Sequence, residues 1–195
     1  MQYPLTLTFK LVALNPQVAV TDAAGALVLY VKQKAFRLRE DVTVFADREQ
    51  ARPLYRFRAD RVIDFRATYR MTDAAGEPVG AMQREGLRSI WRSRFTVFDT
   101  VGRPTLRIQE DDPWVKVLDA TLGEVPVLGW LSGYLLHPSY TVAEEDGRPV
   151  LRLVKQPSFW ERVFRLERLD AMAPEDEVRG VLALLMTVLL ERARG

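Results

Sequence analysis

Two short stretches of the chain concentrate cations. Residues 32–39 carry four basic side chains in eight positions, and residues 84–94 carry four in eleven, around Trp91. Clustered arginine and lysine can hold phosphate groups, and each cation near an anionic membrane surface is worth about 1 kcal/mol. The headgroup-binding set predicted from these stretches is Lys32, Lys34, Arg37, Arg39, Arg84, Arg88, Arg92 and Arg94. The alternative is that these side chains form the ordinary charged outer face of strands.

Residue types that support catalysis or metal binding are scarce. The chain has no cysteine, which excludes disulfides, thiolate metal sites and a cysteine nucleophile. The chain has a single histidine, His137. As a general base it would need a positioned nucleophile or acid nearby, and the sequence indicates none, so a structural or surface role is favoured. Residues 144–147 resemble half of a calcium loop, but a hairpin turn explains them better. We therefore expect a protein that is not an enzyme and that uses no metal and no cofactor.

An apolar segment, residues 125–136, is interrupted by one proline and two glycines. It is interpreted either as a lid packed over one end of the fold or as a membrane-interface element anchored by Trp130 and Tyr134, because aromatic side chains favour that interface. The lid is the favoured interpretation.

A repeated turn signal organises the strands around these residues. Four motifs begin 25 or 26 residues apart, and a fifth follows after 46 residues. They begin at Asp22, Asp47, Asp73, Asp99 and Glu145. Aspartate hydrogen-bonds to its own backbone two residues on, and the glycine present in most of the motifs accepts a positive φ, so the repeat predicts a series of β-hairpins. The fifth interval is close to two periods, and we expect an insertion there.

The segments between the turns alternate between apolar and polar residues. Tyr55 and Phe57 alternate with arginines, and Phe95 and Val97 share a face with Trp91. This period of two predicts antiparallel sheet with one wet face. Ten or more strands tend to curl and close, which removes the sheet edges. At 195 residues, 48% of them apolar and 28% charged, the chain is sized for one domain over residues 1–195, with the barrel over about 3–170.

The C-terminal segment has a different character. Pro174 and three acids after it are typical of a helix N-terminus, and residues 181–190 are apolar on every face except for one threonine. A ten-residue helix is about 15 Å long, half the thickness of a ~30 Å hydrocarbon core. The pattern therefore predicts a helix over about 174–193, buried inside the barrel rather than spanning a membrane. The N-terminus is predicted to be a strand, not a signal peptide.

The sequence resembles the LURP-one-related and phospholipid-scramblase-like proteins of the tubby C-terminal-like superfamily. The residues that carry the resemblance are 30–36, 44–47, 59–64, 88–91, 138–140 and 189–195. It implies a mainly β fold, a twelve-stranded closed antiparallel barrel around a central hydrophobic C-terminal helix. It also implies a link to membrane lipids, because tubby-type members bind phosphoinositides. The cysteine-rich stretch of scramblases is missing, so lipid scrambling is not expected.

The leading functional hypothesis is a non-enzymatic binding or scaffold module that recognises anionic phospholipid headgroups. It would be cytoplasmic and peripheral to the membrane. The alternative is a domain that binds a small apolar ligand or a protein partner without lipid contact, and a weaker one is a hydrolase with an unrecognised site. A net charge of +2 argues against nucleic acid as the partner.

Overall fold

The computed structural model of the protein describes residues 1–10, 17–32, 41–60, 67–85, 94–111, 139–158 and 161–192. Within these ranges the chain forms twelve strands followed by one helix. The strands are β1 (Leu5–Lys10), β2 (Gln17–Thr21), β3 (Leu27–Lys32), β4 (Asp41–Phe45), β5 (Pro53–Ala59), β6 (Thr68–Asp73), β7 (Pro78–Arg84), β8 (Arg94–Phe98), β9 (Pro104–Glu110), β10 (Ser139–Glu144), β11 (Pro149–Gln156) and β12 (Glu161–Arg168), and the helix is α1 (Pro174–Arg192).

The twelve strands close into one antiparallel barrel, as predicted. Each strand pairs with its neighbours in sequence, and β1 completes the ring by pairing with β12, from Leu5 opposite Leu166 to Lys10 opposite Glu161. We call the end at which β2 connects to β3, and likewise β4 to β5, β6 to β7, β8 to β9 and β10 to β11, the lower end. The upper end is the opposite one, where β1 connects to β2 and β3 to β4. The helix begins at the lower end, because it follows β12, which runs downwards.

Aspartates build the lower-end turns as the repeat predicts. Oδ1 of Asp73 accepts hydrogen bonds from the backbone N–H groups of Ala75 and Glu77, both at 2.9 Å, and Asp22 and Asp99 bond in the same way. The glycine that ends each of these turns has a φ between +79° and +89°. The strand register shifts beside every lower-end hairpin, which places a β-bulge next to each turn.

Two of the turns depart from the pattern. In the Asp47 turn the residue with a left-handed backbone is Gln50, at φ +62°, where the other turns use glycine. In the fifth turn the leading position belongs to Glu144, whose N–H bonds to the carbonyl of Arg148 at 3.0 Å, so the motif begins one residue earlier than predicted. The turn itself confirms that residues 144–147 form a hairpin.

Within the described residues, the long fifth interval holds one repeat. Only β9 and β10 lie between the Asp99 turn and the Glu144 turn among the described residues. The additional length is that of residues 112–138, between β9 and β10, which lie outside the described residues.

The barrel interior is filled by α1. Every residue from Val181 to Leu189 is buried, together with inward strand residues such as Phe57, Met82 and Phe95, in one continuous core. The hydroxyl of Thr187 donates to the carbonyl of Ala183 at 2.8 Å, which satisfies the polar group of this otherwise apolar stretch. Full burial of a valine, leucine or methionine side chain contributes about 1.5–3 kcal/mol. The core thus stabilises helix and barrel together.

Candidate functional site

Side chains at the start of α1 hold the helix to the lower end of the barrel. The Arg179 guanidinium bonds to Asp176 Oδ1 at 2.6 Å and donates from Nε to the carbonyl of Val79, on β7, at 2.8 Å. Its side chain is only 11% exposed. The Arg179 side chain fits against β7 because residue 80 is glycine. A Cβ at this position would lie 3.2 Å from Arg179 Cδ and 2.4 Å from the Phe98 carbonyl oxygen. Arg179 therefore packs closely against β7 and has a structural role at the lower end.

A second ionic group lies beside it. Arg168, which ends β12, bonds to Glu177 Oε2 at 3.2 Å. Burial raises the pKa of the Tyr3 phenol above its usual range, and the charge of nearby Glu177 raises it further. Arg148 bonds to Asp170 at 2.7 Å and to Glu144 at 2.6 Å, which joins the fifth turn to the segment that leads into the helix. Arg148, Arg168 and Arg179 at the lower end are thus all in ion pairs with acidic residues.

The upper end carries every described member of the predicted headgroup-binding set. Lys32 ends β3, Arg84 ends β7 and Arg94 begins β8. Strands β3 and β7 are separated by three others in the barrel, which is at most about 19 Å along the wall at 4.8 Å per strand. The other members lie outside the described residues, and these are Lys34, Arg37, Arg39, Arg88 and Arg92.

The three described cations do not share one face. Lys32 and Arg94 are exposed and point outwards, because their neighbours Val31 and Phe95 are buried in the interior. Arg84 lies opposite Phe95 and so takes an inward position at the rim, where it is half-buried. Within the described part of the chain none of the three forms an ion pair. Lys32 and Arg94 can therefore bind an anion at the outer surface. Arg84 can reach an anion only at the opening of the barrel interior at the upper end.

Acidic groups occupy another part of the upper rim. Tyr140 on β10 pairs with Glu110 on β9, and Glu191 lies near the end of α1. Burial raises the pKa of the Tyr140 phenol above its usual range, and the charges of Glu110 and Glu191 raise it further. The described part of the upper end therefore carries cations at β3, β7 and β8, with Glu85 beside Arg94, and acidic groups around β9 and β10.

Asp111 ties together the two strands from which residues 112–138 depart. Its carboxylate accepts hydrogen bonds from the hydroxyls of Ser139 and Thr141, both at 2.7 Å, and lies 3.6 Å from Arg152. Its backbone N–H donates to the carbonyl of Ser139 at 2.8 Å. A carboxylate that accepts from two hydroxyls orders the strand ends. The sequence reasoning missed this group, although an aspartate followed 28 residues later by Ser-Tyr-Thr was its visible signal.

The remaining predictions concern metal binding, membrane spans and the segment 125–136, and they can be compared with the structure only over the described residues. In those ranges, no three or more histidine, cysteine, aspartate or glutamate side chains group as a metal site. A helix long and apolar enough to cross a membrane is likewise not found in the described portion. Trp91, Trp130, Tyr134 and His137 lie outside that portion, so the lid and membrane-interface interpretations of residues 125–136 both remain predictions.

The fold defines a class, an antiparallel twelve-stranded barrel with a buried C-terminal helix. The sequence model of the LURP-one-related family matches residues 27–167, and the chain belongs to that family. Among solved structures, an X-ray structure of a protein from Arabidopsis thaliana matches with a TM-score of 0.48 and 15% identity, over 97% of this chain and 91% of that one. A search of curated proteins found no significant match.

Proposed function

We propose that the protein is a non-enzymatic binding module that recognises anionic phospholipid headgroups through the upper end of its barrel. It would act at the cytoplasmic face of a membrane, as a peripheral protein. The observation that carries the proposal is that Lys32, Arg84 and Arg94 all lie at one end of the barrel. None of them forms an ion pair within the described residues. Membership of the LURP-one-related family supports a binding module.

The spacing of the cations favours a surface over a single headgroup pocket. Lys32 and Arg94 lie on β3 and β8, five strands apart in one direction around the barrel, too far for both side chains to hold one phosphate. Several lipids of one bilayer can satisfy them separately, at about 1 kcal/mol for each cation. The attraction falls off within about 8 Å at physiological ionic strength, so binding should be weak and salt-dependent.

Co-sedimentation with vesicles tests the proposal. We expect vesicles containing phosphatidylglycerol to sediment the protein at low salt, vesicles of phosphatidylcholine alone to leave it in solution, and binding to disappear as salt rises. The Lys32→Glu/Arg94→Glu variant should lose binding. The matched control is Arg103→Glu, an exposed arginine in a lower-end turn, which should bind as the parent does.

The second basic stretch of the predicted set needs its own variant. Replacing Arg88, Arg92 and Arg94 together with glutamate should also abolish binding while thermal unfolding stays cooperative. Binding that resists salt would instead assign the membrane contact to Trp130 and Tyr134. Failure to bind any anionic vesicle at low salt would refute the lipid proposal.

A further inference from the structure

The outer wall of the barrel contains a directly opposed pair of like charges. Arg58 on β5 lies opposite Arg70 on β6. Elsewhere among the described strands, charges that lie directly opposite one another have opposite signs, as in Lys10 with Glu161 and Arg152 with Glu167. Like charges in this position destabilise a sheet. The arginine pair is therefore a departure from the pairing rule that the rest of the described wall follows.

Both arginines face water. Phe57 and Met71, which alternate with them along the two strands and lie opposite each other, are buried in the interior. Arg58 and Arg70 are consequently on the outer face, and both are exposed. Side chains directly opposite in a sheet have Cβ atoms roughly 5 Å apart, so two guanidinium groups rooted here can converge on one small anion.

Nearby acids are engaged with other groups. Asp41 lies opposite Arg58 on β4, but its carboxylate is bonded by Arg56, whose Nε donates to Oδ1 at 2.8 Å and whose NH2 donates to Oδ2. Oδ1 of Asp60 accepts the backbone N–H of Thr68 at 2.9 Å. Within the described ranges, neither Arg58 nor Arg70 forms an ion pair.

The other neighbour of Arg70 leaves space. Ala81 lies opposite it on β7, and a methyl group is too short to cover a guanidinium. The outer surface thus presents two adjacent forks, bounded by the Arg56–Asp41 pair on one side and by a small side chain on the other.

We propose that Arg58 and Arg70 form a binding site for a phosphate monoester group on the outer wall. Arginine forks match tetrahedral phosphate oxygens in bidentate fashion, and a monoester carries a charge of about −1.5 to −2, which balances two cations where a carboxylate would balance one. A bound phosphate converts a repulsive pair into two attractive ones. The site is separate from Lys32 and Arg94 and does not depend on the function proposed above.

Thermal unfolding with inorganic phosphate is the first test, with chloride at equal ionic strength as the reference. A ligand at ten times its Kd should raise the Tm of the parent by roughly 3–6 °C. Arg58→Gln/Arg70→Gln should lose this rise and, without phosphate at low salt, should melt no lower than the parent. The control Arg165→Gln, at an exposed arginine on β12, should keep the rise. An equal phosphate response in the parent and the double variant, or no response in the parent, would overturn the proposal.

Vesicles identify the source of the phosphate. Phosphatidic acid carries a monoester and phosphatidylglycerol a diester, so stronger binding to phosphatidic acid that is lost in Arg58→Gln/Arg70→Gln would assign the site to a lipid headgroup. Stabilisation by phosphate and by glycerol phosphate, with equal binding to both vesicle types, would assign it to a soluble phosphate ester. Phosphatidylglycerol binding that depends only on Lys32 and Arg94 reports on the other function and leaves this test unaffected.

Discussion

The two ends of the barrel are built differently. At the lower end the hairpin connections run from four to seven residues, and their aspartates satisfy the backbone of each turn. At the upper end the connections reach 28 residues between β9 and β10, and Lys32 and Arg94 form no ion pair within the described residues. Short, self-satisfied turns fix the register of a barrel, whereas longer surface segments tolerate change and carry function. We infer that the lower end specifies the fold, whereas the function proposed above assigns membrane binding to the upper end.

Both ends depend on the buried helix, and the largest expected effect follows from breaking it. Leu185→Asp would remove a fully buried side chain, at about 2–5 kcal/mol, and leave an unpaired carboxylate in an apolar interior. Since a domain is stable by about 5–15 kcal/mol in total, we expect no folded soluble protein. The measurements are soluble yield and thermal unfolding, with Leu185→Met as the control, which should cost less than about 1.5 kcal/mol. A Leu185→Asp variant that melts at the parent's temperature would show that the helix is not the core of the barrel.

The lower-end fit around Arg179 gives the next largest effect. Gly80→Ala would place a Cβ 2.4 Å from the Phe98 carbonyl oxygen, at a φ of +156°. Overpacking and backbone strain each cost about 1–3 kcal/mol, so we expect a loss of roughly 2–4 kcal/mol in the free energy of unfolding, measured by denaturant titration. Gly76→Ala is the control, with φ +89° but no atom within 4 Å of its Cβ, and it should cost only about 1 kcal/mol. Equal losses in the two variants would mean that backbone conformation alone matters at residue 80.

The same difference between the two ends explains which parts of the fold could be predicted from the sequence. The lower end was predictable because each turn is local, and in most of the turns an acidic residue and a glycine lie within four residues of each other. Gln50 escaped prediction because a left-handed glutamine has no sequence signature. The 46-residue interval was ambiguous because its length fits either two hairpins or one long connection.

The placement of the cations could not be predicted, for a different physical reason. Whether Lys32 and Arg84 are neighbours depends on the order in which distant strands close the barrel. The inward position of Arg84 depends on how far β7 continues past Met82 before it ends. The opposition of Arg58 and Arg70 likewise requires the register of β5 with β6, which the intervening connection of eight residues does not reveal.

The turn aspartates predict a smaller, pH-dependent effect at the lower end. The backbone N–H groups of Arg103 and Val101 hold the pKa of Asp99 below its ordinary value. A carboxylate whose pKa is lower in the folded state stabilises the fold above its unfolded pKa of about 3.9, and this stabilisation is lost as the pH falls through the folded pKa. Asp99→Asn keeps an acceptor oxygen but does not titrate, so its Tm should fall less steeply than the parent's below about pH 4.

Melting curves from pH 7 to pH 2 check this prediction. Glu49→Gln, at an exposed carboxylate in the neighbouring Asp47 turn, should follow the parent curve throughout. Parallel curves for the parent and Asp99→Asn below pH 4 would mean that the Asp99 carboxylate contributes no more to the fold than an amide does.

The smallest effect is expected at the upper end, from the removal of its longest connection. Asp111 and Ser139 are held together by a backbone hydrogen bond of 2.8 Å and a side-chain hydrogen bond of 2.7 Å, and β9 and β10 remain in register below them. Replacing residues 112–138 with Asn-Gly would join the two strands by a two-residue hairpin loop.

Two contributions should nearly cancel in this variant. Shortening the segment between Asp111 and Ser139 from 27 residues to two is close to four halvings, which reduces the loop-closure cost by about 2 kcal/mol. We expect a compensating loss at the new junction, because Ser139 is fully buried although it points outwards and its surroundings change in the variant. We expect cooperative unfolding within about 1–2 kcal/mol of the parent. A variant that fails to fold would show that residues 112–138 belong to the core and that the upper end is as much a part of the fold as the lower end. If the variant folds, its vesicle binding separates the two membrane hypotheses, because it retains Lys32 and Arg94 but lacks Trp130 and Tyr134.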